Sequence, residues 1–156
     1  MKWGVPMSNS DNPRNEAIFQ RKVMEWFQAN YKAKFELEKK ITIGKPGKAH
    51  KFDIVGNDNN GNNIAIERKR YTWTKSGNVP SAKMGFTNEA AFYLSFLPAN
   101  YYKYIVMLKS CHHQRKETLA EYYYRTNRHL LGKIKVAEYS PEENELRVLD
   151  DKIFNQ

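Results

Sequence analysis

The sequence predicts a single α/β domain, on three observations. An apolar stripe at helical period lies near the start, two alternating or short apolar strand-like runs and a third charged one follow it, and the apolar run Tyr104-Ile105-Val106-Met107-Leu108 stands between two further helical stretches. A run of that last kind is a central strand by composition, buried on both faces. At 156 residues the chain fits one domain with a sizeable core, and it shows no internal repeat, low-complexity tract or interdomain linker.

Residues 1–12 are polar and read as a loose, flexible basic arm, with the domain running over 13–156. Asn12 as N-cap with Pro13 at the first helical position starts a helix that runs to about Asn30. Phe19, Val23, Trp26 and Phe27 form its apolar stripe, and Glu16, one turn earlier, extends that stripe as an acid pointing toward the core. Two readings of Glu16 stand: it complements the helix dipole, or it serves a buried site. Phe35, Leu37, Ile41 and Ile43 alternate with polar residues as a half-buried strand, and Gly44-Lys45-Pro46-Gly47-Lys48 breaks it with a basic turn. Lys51 to Val55 is a second strand, residues 56–63 are a loop suited to joining antiparallel strands, and Ile64 to Tyr71 is a third strand rich in charge. A polar, turn-rich stretch over 72–81 precedes a helix from Ala82 or Thr87 to Leu97, ended by Pro98. After the apolar strand, a helix is expected over Arg115 to Leu131, then short strands at Ile134–Tyr139 and Leu146–Leu149.

Composition narrows the function classes. Lys and Arg outnumber Asp and Glu 26 to 17, a net charge of +9, which favours a polyanionic partner because each base that meets a phosphate releases condensed counterions. The single cysteine, Cys111, excludes an intrachain disulfide and suits a reducing compartment; with no signal-like start, a cytoplasmic protein is expected. No apolar run approaches the roughly 18 residues of a membrane span. Cys111-His112-His113, with His50 and His129 elsewhere, lacks zinc-finger spacing, and Gly44–Lys48 lacks the spacing of a nucleotide-phosphate loop, so no nucleotide cofactor is expected.

The segment that carries chemistry is Phe52-Asp53-Ile54-Val55, a loop, then Ile64-Ala65-Ile66-Glu67-Arg68-Lys69. Side chains on a strand alternate, so Glu67 and Lys69 share a face roughly 6–7 Å apart, and a hairpin can set Asp53 beside Glu67. Two adjacent carboxylates repel unless a cation lies between them, and their hard oxygens suit Mg²⁺. Such a site can hydrolyse phosphodiesters: the metal polarises phosphate and activates water, while Lys69 orients or deprotonates the water or stabilises the transition state.

Asp53, thirteen residues, then Glu67-Arg68-Lys69 resembles the signature of the PD-(D/E)XK, or restriction-endonuclease-like, nuclease superfamily, over roughly residues 13–110. Phe52 stands where the motif has proline. The resemblance implies a mixed central sheet flanked by helices, Asp53 and Glu67 as metal ligands, Lys69 in catalysis, and Glu16 as a possible fourth member. It implies a Mg²⁺-dependent DNA endonuclease in which Mn²⁺ substitutes, of restriction or intron-homing type; a Holliday-junction resolvase and a non-catalytic basic nucleic-acid-binding module are the alternatives. Cutting both strands of a duplex takes two active sites, so a homodimer or higher homo-oligomer is expected. Lys45, Lys48, Lys51, Arg70, Trp73, Lys75, Asn78 and Lys83 are the candidate DNA contacts, each also readable as ordinary surface. Arg68 and Arg70 are expected on the face opposite Glu67.

Overall fold

The computed structural model describes residues 13–155, so the Asn12 cap and the arm over 1–12 lie outside the described residues. Helix α1 spans Pro13–Asn30 and buries Phe19, Gln20, Val23, Met24 and Phe27, the three-four spacing of one helix face. Strands β1 (Lys34–Ile43), β2 (Lys48–Asn57) and β3 (Asn63–Lys69) follow as an antiparallel meander. Gly44, at φ +78°, supplies the left-handed residue that the β1–β2 turn needs. Then come α2 (Ser81–Ser95), β4 (Tyr101–Leu108), α3 (Leu119–Leu131), β5 (Lys135–Ser140) and β6 (Glu145–Val148), with a 3-10 turn over Asp151–Asn155.

The six strands form one mixed sheet in sequential order, β1-β2-β3-β4-β5-β6. Its centre, β3-β4-β5, is parallel, because α2 and α3 serve as crossover connections; the flanking pairs are antiparallel. One buried cluster joins Met84, Leu94, Leu119 and Tyr123 of α2 and α3 to Phe52, Ala65, Ile105 and Met107 of the sheet. A second joins Phe19, Val23 and Phe27 of α1 to Ile54, Ile66 and Val106. The domain is therefore three layers, α1 against one sheet face and α2 with α3 against the other.

One local feature positions the site. In β1, Phe35 and Leu37 pack with the α1 cluster, but Ile41 and Ile43, of the same parity, pack with the α2–α3 cluster. In β2, Ile54 belongs to the α1 side and Phe52 to the other. A regular strand keeps residues two apart on one face. The hairpin changes face at Glu38, held at φ +53°, and at Asp53 across from it, between the pairs Leu37↔Ile54 and Lys39↔Phe52. A non-glycine residue in that conformation is strained, and it sits at the point where the sheet must turn.

Two boundaries need correction. Strand β2 begins at Lys48 rather than Lys51, so Lys48 lies on the strand and not in the turn, and β1 pairing continues to Ile43↔Lys48. Helix α3 begins at Leu119, not at Arg115: Thr118 caps it, accepting from the Glu121 N–H at 3.1 Å while the Glu121 carboxylate accepts from the Thr118 N–H at 2.8 Å. Arg115 is held elsewhere, donating from Nε to the Gly77 carbonyl at 2.7 Å and lying 4.4 Å over the Trp73 ring. The terminal 3-10 turn had no sequence signal. Among the described residues, no helix is long and apolar enough to cross a membrane.

Candidate active site

Asp53, at the bend in β2, and Glu67, on β3, meet at the mouth of a cleft of about 200 Å³ between these strands and α2. His50, Lys51 and Lys69 also line it, with Phe86, Glu89, Ala90 and Tyr93 from the helix. The strand geometry explains the meeting. Ile54 pairs with Ile66, so the next step along the hairpin brings Asp53 across from Glu67. Glu67 shares its face with Ala65 of the α2–α3 cluster, and Lys69 repeats that parity.

Asp53 is fixed from three directions. Its Oδ2 accepts the Arg68 backbone N–H at 2.9 Å, and the Arg68 guanidinium lies 3.9 Å from the same oxygen. Gln20, buried on α1, donates to the Asp53 carbonyl at 2.8 Å. Glu67 is only 5% exposed, and its Oε1 lies 3.0 Å from His50 Nε2. Burial first, then the Asp53 charge and a hydrogen bond to that carboxyl, push the Glu67 carboxyl up to about 9. The two carboxylates thus face each other across the hairpin, in the position where a hard divalent cation would lie between them. Their closeness and the chemistry of their hard oxygens are what fit Asp53 and Glu67 to a metal ion.

Two larger clefts, about 490 Å³ and about 460 Å³, are each lined by a single carboxylate, Asp150 and Glu25, and cannot offer such a pair. Among the described residues, no group of three or more His, Cys, Asp and Glu side chains is gathered closely enough to hold a metal unaided. A cation at Asp53 and Glu67 would complete its shell with water and phosphate oxygens, the ordinary habit of Mg²⁺.

Glu16 faces inward from α1, but on the opposite side of the sheet from Glu67. It pairs with the Arg68 guanidinium at 3.3 Å. Burial raises its carboxyl against the pull of Arg68 and Arg70, and its Oε1 is buried without a hydrogen-bond partner, as is Arg68 Nε. Arg68 therefore bridges Glu16 and Asp53 from the α1 side, and the Arg70 charge acts there too.

Of the other candidate contacts, Lys45 and Lys48 are exposed at the tip of the β1–β2 hairpin, and Lys51 is exposed at the cleft, 3.8 Å from Glu38. Lys83, at the start of α2, lies 5.4 Å from the Tyr71 ring centre, and Lys69 lies 5.9 Å from it, so the two ammonium groups share one aromatic ring. Lys75 and Asn78 are exposed in a turn; the Asn78 amide donates to Ser76 Oγ at 3.3 Å and so serves the turn itself. Trp73 is a correction. It is 5% exposed, packed edge-on against Tyr122 of α3 and under Arg115, and cannot reach DNA. The polar stretch around it folds back on α3 and buries the ring.

Sequence reasoning missed His50, Tyr93 and Glu89. Alternation along an unbent strand puts His50 on the face away from Asp53, and only the change of face at Asp53 brings it to Glu67. Cys111-His112-His113 gathers no such set: both His112 ring nitrogens are engaged, with the Lys75 carbonyl at 2.9 Å and the Gln114 N–H at 3.1 Å.

Fold and cleft together define an α/β domain whose open six-stranded mixed sheet, flanked by helices, is consistent with a restriction-endonuclease-like core. The fold is similar to that of an XisH family protein from Nostoc punctiforme PCC 73102, with a TM-score of 0.56 and 13% sequence identity, over 85% of this chain and 99% of that one. At this identity the likeness is one of fold. No protein-family model and no curated protein matches the sequence.

Proposed function

We propose that this chain is a metal-dependent DNA endonuclease, using Mg²⁺ with Mn²⁺ as a substitute, and that it cuts duplex DNA at specific sites in the manner of restriction or intron-homing enzymes. The observation that carries the reading is the pair of facing carboxylates Asp53 and Glu67 at the strand bend, with Lys69 on the same face as Glu67. A divalent ion held by those carboxylates supplies Lewis acidity to the scissile phosphate and acidifies a bound water.

The chain's own residues do the rest. Arg68, through its backbone N–H and guanidinium, holds the Asp53 carboxylate in place at the cleft. Lys69 presents an ammonium group at the mouth, where it stabilises the extra negative charge of the pentavalent transition state or holds the attacking water in line. The Tyr71 ring, shared with Lys83, limits where that ammonium can go. Lys45, Lys48 and Lys51 extend positive charge along the hairpin from the cleft outward, which suits a phosphate backbone. Two copies related by a two-fold axis would set one such cleft on each strand of a duplex.

Incubation of supercoiled plasmid, long mixed-sequence DNA and four-way junctions with Mg²⁺, and with EDTA instead, tests the reading. Metal-dependent nicking or linearisation of duplex supports it, and cleavage confined to junctions would replace the site-specific duplex cutter with a resolvase. Metal-independent binding to all three without cleavage would make the chain a binding module.

A further inference from the structure

We propose that His50 is a positioning residue of this site, which fixes the Glu67 carboxylate by donating Nε2–H to Oε1 and so leaves Oε2 for the shared position with Asp53. This rests on the proposed metal-dependent reading of the cleft. The geometry is specific. His50 Nε2 stands 3.0 Å from Glu67 Oε1, and its ring lies parallel to that of Tyr93, with centres 3.9 Å apart and planes 10° apart. The Phe52 ring meets it edge-on at 4.6 Å. An imidazole clamped between two aromatic rings has little freedom, so its donor points in one direction.

Glu67 needs such a clamp. A buried carboxylate that binds a cation with one oxygen must satisfy the other, or it rotates and spoils the ligand geometry. Arg68 and Gln20 hold Asp53, and His50 is the side-chain donor set against Glu67. His50 acts through Glu67, because its Nε2 is engaged with Glu67 Oε1 at 3.0 Å.

Two variants separate the donor from the ring. His50→Phe keeps an aromatic ring to stack on Tyr93 and removes the donor. His50→Gln keeps a donor at the position of Nε2 and removes the ring. Mg²⁺ and Mn²⁺ binding to DNA-free protein, measured by titration calorimetry, is expected to weaken by about 10–100-fold in His50→Phe and to recover to within about threefold of wild type in His50→Gln. Thermal midpoints should order the other way if packing were the role, because Phe fills the slot better. Metal affinity at the wild-type level in a folded His50→Phe overturns the inference, as does an equal loss in both variants. Should His50→Phe not fold, Tyr93→Leu frees the ring while keeping the donor, and unchanged metal affinity there overturns it as well. Asp53→Asn and Glu67→Gln are run beside them. If those two lose metal and His50→Phe does not, only the role of His50 falls. If wild type binds no metal, or both acid variants bind it normally, the nuclease reading falls and takes this inference with it.

Discussion

Replacing Glu67 by glutamine should make the metal-free protein more stable while removing its proposed activity. Gln fits the same space: its amide can donate toward the Asp53 carboxylate and its carbonyl can accept from His50. What it removes is a pH-dependent cost. The Glu67 carboxyl moves from an ordinary 4.5 to about 9 on folding, chiefly through burial. Below pH 4.5 the group is neutral in both states and contributes no difference. Above it the unfolded chain ionises while the folded one keeps its proton, so folded stability falls with each pH unit until about pH 9. At pH 7 that covers about 2.5 units, at about 1.4 kcal/mol each, or up to about 3 kcal/mol. A domain of this size gains about 2–4 °C per kcal/mol, so the variant should melt about 6–12 °C higher in EDTA at pH 7. The gap should close at pH 4 and widen at pH 8.5. Excess Mg²⁺ should raise the midpoint of wild type and leave the variant unmoved, because only the carboxylate pair gains from the ion. Thermal unfolding followed by circular dichroism at the three pH values reads all of this. A variant no more stable than wild type at pH 7 and 8.5 would refute the claim that Glu67 is buried at its own expense.

Three further outcomes follow from the packing and charge. A Cβ on Gly56 would fall onto the Phe35 ring, 2.7 Å from Cδ1, so Gly56→Ala should cost about 1–3 kcal/mol in urea unfolding. Trp73→Ala should cost about 3–5 kcal/mol, and any loss of DNA binding should track the loss of fold and vanish at a temperature where the variant is fully folded. Replacing Lys45, Lys48 and Lys51 together by alanine should weaken DNA binding uniformly across sequences and reduce the salt slope by about 2–3, measured by fluorescence anisotropy over a salt series, with thermal stability nearly unchanged.

Much of the architecture was legible because the responsible signals are local. The spacing of Phe19, Val23 and Phe27 marks α1, and its end at Asn30 coincides with the observed boundary. The apolar run ending at Leu108 marks the central strand β4, which is buried on both faces. Asp53, Glu67 and Lys69 were found because two-residue alternation and a hairpin are enough to gather them. The rest required information that sits across the sheet. The change of face at Glu38 and Asp53 depends on how two strands twist together, and no pattern in either strand announces it. His50 was passed over for that reason. Trp73 was misread because a polar loop usually lies on the surface, and its burial depends on Arg115 and Tyr122, about forty residues away or more. Glu16 was correctly placed facing inward, yet what it meets there is Arg68, reached through the other side of the sheet.

The central claim is that Asp53 and Glu67 hold a metal while Lys69 acts on the reacting phosphate. Single-turnover cleavage of long mixed-sequence DNA in Mg²⁺, alongside calorimetric Mg²⁺ binding, tests it directly for wild type, Asp53→Asn, Glu67→Gln and Lys69→Met. The account predicts that the two acid variants lose both binding and cutting, whereas Lys69→Met binds the ion and fails to cut. Cleavage that survives loss of either acid, or a Lys69→Met variant that cuts at the wild-type rate, would contradict it.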